Sequence, residues 1–249
     1  MTGAGRWVLV SGASRGIGRA TAVALAADGY RPVLWARSGA DLAAVRAEVR
    51  ERGGEARSAI VDVGDPDAVA RAARESLAGL TELAGVVLNA GQGRWAPLAE
   101  IEPQDWDGTL RTNLSGSFHV LRAALPLLTA APGALVVGLL SDSAVHPFPE
   151  RAAYAASKSG LRALLEVARR ELRERGVRVS LVVPSRVDTF FEGAYTDAAP
   201  GTRKGALTAA DIAALVTGIF RLPPEIEVRE THVAAMTSTF GPFQERASS

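Results

Sequence analysis

The chain has 249 residues, of which 47 % are apolar and 22 % charged, a balance that belongs to a folded globular domain and excludes the disordered class. Its 28 basic and 27 acidic side chains leave a formal charge of +1, and no dense basic block marks a nucleic-acid surface. With no cysteine, disulfides, thiolate metal sites and a thiol nucleophile drop out together, and any redox chemistry needs a borrowed cofactor.

In chain order, nearly continuous apolar runs at 7–10, 33–35, 58–63, 85–88, 135–140 and 177–183 predict strands buried on both faces, as in a parallel sheet. Stretches with helical spacing lie between them at 40–52, 66–78, 103–128 and 152–175. This βα alternation predicts an α/β fold, a doubly wound parallel sheet with helices on both faces in a single domain. Gly64-Asp65-Pro66 places Asp65 to cap the helix that follows. The segment 188–207 carries Phe190, Phe191 and Tyr195 in no clear period and is expected to act as a substrate lid. No apolar run reaches the ~20 residues of a membrane span, and the first ten residues lack the pattern of a secretory leader, so a cytoplasmic location is expected.

The first predicted strand runs directly into Ser11-Gly12-Ala13-Ser14-Arg15-Gly16-Ile17-Gly18 and then a helical stretch. Glycines in such a turn let backbone N–H groups approach a pyrophosphate, and the helix N-terminus adds a favourable field. The missing Lys-Ser/Thr pair argues against a nucleoside triphosphate. After the second strand the chain reads Trp35-Ala36-Arg37-Ser38, where a carboxylate would be needed to hold a free ribose 2′-hydroxyl. Arg37, together with Arg15, is instead suited to a 2′-phosphate, which favours NADP over NAD. Asp41 lies too far into the next helix to be the preferred ribose partner.

Tyr154 and Lys158 are four residues apart on a helical pattern and so share one face. An ammonium beside a phenol favours the phenolate and is expected to draw the tyrosine pKa toward neutrality, as a general acid and base requires. Only two lysines occur against 26 arginines, so the pairing is a specific signal. Together with the glycine turn and Asn89-Ala90-Gly91 after the fourth strand, it makes residues 7–189 resemble the short-chain dehydrogenase/reductase family, whose fold is of the Rossmann type.

The resemblance implies an oxidoreductase that moves a hydride between a nicotinamide and a carbonyl or alcohol carbon. It implies Tyr154 as proton donor and acceptor, Ser141 as a hydrogen-bond partner of the substrate oxygen, with Ser143 as a nearby competitor, and Lys158 as a grip on the nicotinamide ribose. Asn113 matches the family's helper in a water-mediated proton relay. The cofactor set becomes Gly12, Ser14, Arg15, Gly16, Ile17, Gly18, Arg37, Asp62, Val63, Asn89, Ala90, Gly91, Tyr154, Lys158, Pro184, Val187 and Thr189, with Asp62 and Val63 against the adenine. No metal is expected, since His119, His146 and His232 show no ligand spacing.

Two departures stand out. Ser185 follows Pro184 where the family has glycine, and the carboxyl end, Ala234-Ala235-Met236-Thr237-Ser238, lacks the short Gly-Gly-containing strand segment of 3-oxoacyl reductases. The expected substrate is therefore a small 3-hydroxy acid, aldehyde or ketone. A 3-oxoacyl reductase and a non-catalytic NADP-binding sensor are the alternatives, and the extended sugar-nucleotide class lacks room for its second lobe. Gln92, Arg94 and Trp95 are expected at the pocket border, with Phe148, Phe190, Phe191 and Tyr195 as an apolar wall or as lid packing. The long apolar helices predict a homodimer or homotetramer.

Overall fold

A computed structural model of the chain describes residues 5–191 and 201–238. In chain order the elements are β1 (Trp7–Ser11), α1 (Gly16–Ala27), β2 (Arg31–Ala36), α2 (Gly39–Glu51), β3 (Arg57–Ile60), α3 (Pro66–Ser76) and β4 (Gly85–Leu88). They continue as α4 (Pro103–Leu110), α5 (Gly116–Leu128), β5 (Leu135–Leu139), α6 (Ala152–Leu172), β6 (Arg178–Pro184), β7 (Val187–Asp188), β8 (Leu207–Thr208), α7 (Ala209–Arg221) and β9 (Glu230–Val233).

Seven strands form one parallel sheet in the order β3-β2-β1-β4-β5-β6-β9. Strand residues alternate between its two faces. Leu9, Trp35, Val86, Val136 and Leu181 pack toward α3, α5 and α6, while Val8, Val10, Leu34, Val87 and Val137 pack toward α1, α2 and α7. Burial on both sides explains why the strands read as unbroken apolar runs. Burying a Leu or Val side chain contributes ~1.5–3 kcal/mol, and these layers contain many that are fully buried.

Asp65 caps α3 as the Gly-Asp-Pro triplet predicts, its carboxylate accepting from Asp67 N at 2.9 Å and Ala68 N at 3.1 Å. Three features differ from the sequence pattern. The helix expected over 103–128 is continuous in space but contains a π turn, Arg111–Ser115, between α4 and α5. The third strand ends at Ile60 rather than at Val63, because Asp62 Oδ1 accepts from Gly64 N at 2.9 Å and turns the chain. Beyond β6, α7 and β9 were not visible as elements, yet α7 packs on α1 and β9 closes the sheet edge against β6.

Candidate active site

The carboxyl ends of β1, β2, β3, β4, β5 and β6 open into one cavity of about 1010 Å³, the place where an open parallel sheet accepts a ligand. At its floor, Gly12 (φ 65) and Gly16 (φ 55) hold left-handed backbone conformations that bend β1 into α1. A side chain at Gly12 is also barred by Asn89 Nδ2 and Ala90 Cα, each under 3 Å from the Cβ it would add. The Ser11 hydroxyl ties this turn to the end of β4, donating to Val87 O (3.2 Å) and accepting from Asn89 N (3.0 Å) and Ala90 N (3.2 Å). Asn89 Nδ2 returns two bonds, to Ser11 O and Gly12 O, both at 3.1 Å. The N-terminus of α1 has no side-chain cap, so its N–H groups are those that an anion in the cavity satisfies.

At one end the cavity is lined by Arg37 and Ser38, after β2, and by Asp62 and Val63. Ser38 caps α2 by accepting from Asp41 N at 3.3 Å, and this places Asp41 in the first turn, at the cavity wall, nearer than its sequence position suggested. Arg15 lines the cavity too, with its guanidinium carbon 4.3 Å from the centroid of the Phe190 ring.

Toward the other end, Tyr154 and Lys158 lie one turn apart on α6, both buried. The Ser141 side chain lies near enough to the Tyr154 hydroxyl to favour its phenolate, and Ser141 Oγ accepts from Ser143 N at 3.2 Å. Ser141 lines the cavity, whereas the Ser143 hydroxyl is fully buried away from it. Lys158 Nζ sits 5.8 Å from the Tyr154 ring centroid and donates to Leu139 O at 2.7 Å.

Burial pushes the Tyr154 phenol pKa up, outweighing the downward pull of the Ser141 side chain and of the Arg151 guanidinium. Burial also draws Lys158 down to about 8. The expectation of a phenol drawn toward neutrality by its lysine is thus not met in this geometry, because desolvation of the phenolate outweighs the pull of Ser141 and Arg151.

Asn113 stands in the π turn, fully buried. Its Oδ1 accepts from Gln92 N (2.9 Å), and its Nδ2 donates to Gln92 O (2.8 Å) and to Ser157 Oγ (3.0 Å). Ser157 Oγ in turn donates to Tyr154 O at 2.7 Å. The amide therefore pins the strand-end loop that carries Gly91 to the helix that carries Tyr154.

Every other residue of the sequence-derived cofactor and catalytic set faces this cavity, while Gly18 and Asn113 stand behind its wall. Gly18 is required by contact alone, since a Cβ there would meet Gly12 O at 2.2 Å. Trp95, Phe148, Phe190 and Phe191 line the cavity, and Gln92 and Arg94 do not. Tyr195 and residues 192–200 of the expected lid lie outside the described residues. Sequence reasoning missed Glu150 and Arg151, which also line the cavity. Glu150 adopts a left-handed φ of 64° and its carbonyl accepts from Ala96 N at 3.0 Å, joining the loop before α6 to the loop after β4. Among the described residues no cluster of His, Asp or Glu suits a metal ion.

The family model of short chain dehydrogenases matches residues 6–199. The chain is 34 % identical over 190 residues to the 3-oxoacyl-[acyl-carrier-protein] reductase FabG of Staphylococcus aureus, covering 76 % of this chain and 77 % of that one. Among solved structures it resembles an alcohol dehydrogenase of the archaeon Thermococcus sibiricus complexed with 5-hydroxy-NADP, at 31 % identity and a TM-score of 0.87, covering 94 % of this chain and 97 % of the other. It also resembles a metagenomic short-chain oxidoreductase in complex with NADP, at 35 % identity and a TM-score of 0.82, covering 94 % and 98 %. The glycine turn, the buried Tyr154 and Lys158 and these likenesses lead to one assignment: the chain belongs to the short-chain dehydrogenase family of oxidoreductases.

Proposed function

We propose that this protein is an NADP(H)-dependent reductase that interconverts a carbonyl group and a secondary alcohol on a small molecule. The observation that carries the reading is that Ser141, Tyr154 and Lys158 line the same cavity as the glycine turn. The cavity suits the dinucleotide: uncapped N–H groups of α1 meet the pyrophosphate, and Arg15 and Arg37 supply guanidinium forks for the 2′-phosphate. The NADP complexes of the two structural relatives support the same cofactor.

Bound NADPH supplies the hydride. Ser141 and Tyr154 hold the carbonyl oxygen, and Tyr154 passes its hydroxyl proton to that oxygen as the carbonyl carbon is reduced. The raised phenol pKa keeps this proton in place at neutral pH, and Lys158 offsets the charge that develops on the phenolate. Asn113 positions the Tyr154 helix against the Gly91 loop. Of the described residues of the proposed 188–207 lid, Thr189, Phe190, Phe191 and Arg203 line the cavity.

A 3-oxoacyl thioester is a second substrate candidate, favoured by the Staphylococcus relative. The same reading carries a cytoplasmic homodimer or homotetramer, consistent with exposed Phe118 on α5 and Val167 on α6. The test is titration with NADPH and NADH by fluorescence, then NADPH oxidation against ketones, aldehydes, oxo acids and 3-oxoacyl thioesters. Turnover of any class supports a reductase, whereas binding with no turnover moves the reading to a sensor. Arg37→Asp is expected to weaken NADPH at least about 30-fold more than NADH, as loss of a fork to phosphate requires.

A further inference from the structure

Asp188 stands between Val187 and Thr189 of the cofactor set but has no part in the proton chemistry proposed above. Its side chain is nonetheless only 7 % exposed, and that of Arg203 only 9 %. A carboxylate withdrawn from water must be met by charge or by N–H donors, and here both come from farther along the chain. Oδ2 accepts from Gly201 N at 2.8 Å and from Arg203 N at 3.0 Å, thirteen and fifteen residues onward. Oδ1 lies 3.9 Å from Arg203 Nε, and Arg203 Nη1 donates to Thr189 O at 3.3 Å.

The stretches 186–191 and 201–208 are also joined as strands. Val187 and Asp188 of β7 pair in parallel with Leu207 and Thr208 of β8, and Leu207 N donates to Arg186 O at 2.9 Å. So short a pairing is a weak joint. A carboxylate that accepts from two backbone N–H groups makes charge-assisted bonds, each roughly twice as strong as a neutral one. Asp188 is therefore the main fastening between the two stretches.

The residues that follow Asp188 reach across both halves of the cavity. Thr189 N turns back to donate to Val187 O at 3.0 Å, and a Cβ added at Gly16 would lie 3.5 Å from Thr189 Cβ, so Thr189 abuts the glycine turn. The Phe190 ring lies against the Arg15 guanidinium. Phe191 stacks on Trp95 at 6.0 Å and 19° and meets Tyr154 edge-on at 5.5 Å and 75°. Gly93 leaves room for that stack, since a Cβ there would come to 2.6 Å from the Trp95 ring and 2.9 Å from the Phe191 ring.

We propose that Asp188 is a positioning residue. Its carboxylate fastens the backbone of 201–203 to the end of β7, and so holds Thr189, Phe190 and Phe191 against the glycine turn and Tyr154, setting affinity at the nicotinamide end of NADPH. The adenosine end, at Arg37 and Asp62, follows β2 and β3. β2 lies four strand positions from β6, roughly 19 Å at ~4.8 Å per strand, beyond the reach of this fastening.

The experiment titrates NADPH and adenosine 2′-monophosphate into the wild type, Asp188→Ala and Asp188→Asn by calorimetry. Asp188→Ala is expected to weaken NADPH at least about tenfold, the share of a charge-assisted hydrogen bond, and to leave the adenosine fragment within about twofold. Asp188→Asn keeps an oxygen that accepts from Gly201 N and Arg203 N but loses the charge, so its loss of NADPH is expected to be only about threefold. Trypsin reads the fastening itself, because Arg203 and Lys204 are basic and residues 189–202 contain no Lys or Arg. Cleavage after Arg203 or Lys204 is expected to be at least about tenfold faster in Asp188→Ala than in the wild type, since local opening governs it.

An Asp188→Ala protein that keeps its NADPH affinity, weakens both ligands alike, or is cut no faster at 203–204 overturns the proposal. Should that variant fail to fold, the same split between the two ligands in Asp188→Asn supports it, and equal effects there overturn it. None of these readings needs turnover, so a protein that binds NADPH and reduces nothing counts against the reductase reading alone.

Discussion

At Tyr154, two demands meet: the hydroxyl must keep its proton until the substrate oxygen needs it, and then release it in a buried place. Burial meets the first by raising the phenol pKa, and Lys158 serves the second with an ammonium that burial has brought down to about 8. Tyr154→Phe is expected to leave NADPH affinity within about threefold and to cost ~10²–10⁴ in turnover, the usual share of a general acid; near-normal turnover would remove Tyr154 from that role. For Lys158 the charged form exists below its pKa, so kcat/KM for reduction is expected to be flat at neutral pH and to fall above about pH 8. A profile flat to pH 10 would detach the reaction from Lys158. The spacing of Tyr154 and Lys158 was legible in the sequence because helical geometry alone brings i and i+4 together. The sign of the tyrosine shift was not, because it depends on the protein packed over the ring, including Trp95 and Phe191 from distant loops.

At the scale of elements, the π turn Arg111–Ser115 shows how a helix is bent to a task. One extra residue in the turn lets Asn113 reach Gln92 and Ser157 together, and π turns of this kind recur at functional sites. Asn113→Ala strands the half-buried Gln92 backbone groups, and each such loss costs up to ~1–3 kcal/mol. The expected melting temperature falls by about 4–10 °C, with kcat reduced more than NADPH affinity; an unchanged melting temperature would deny Asn113 its pinning role. Nothing in Arg-Thr-Asn-Leu-Ser announces a π turn, since the same residues fit an α-helix and the choice is made by tertiary hydrogen bonds. β9 was hidden for a related reason. Glu230-Thr231-His232-Val233 has little apolar character, and its place is set by pairing with β6 and by Glu230 accepting from Arg162 Nε at 2.8 Å.

Over the whole molecule, the parallel sheet of six strands was readable because both faces of each strand are apolar, leaving no alternation to suggest an exposed side. The cavity follows from that arrangement, since it gathers the loops after six different strands. A ligand that binds across so many loops should stabilise the fold as a unit. At 100 times its dissociation constant NADPH adds ~2.7 kcal/mol, expected to raise the melting temperature by about 5–10 °C. Scanning fluorimetry checks this, with no shift at saturating NADPH as the adverse result.

The scarcity of lysine has a practical side. Of the two in the chain, Lys158 is buried on α6, and Lys204 is exposed beside the cavity-lining Arg203. Lysine-directed reagents thus have one accessible address on the native protein, next to the mouth of the site. A fluorophore attached there would sit where ligand entry is felt without altering any group that holds the ligand, so the chain can be made into a reporter of its own occupancy with no mutation at all.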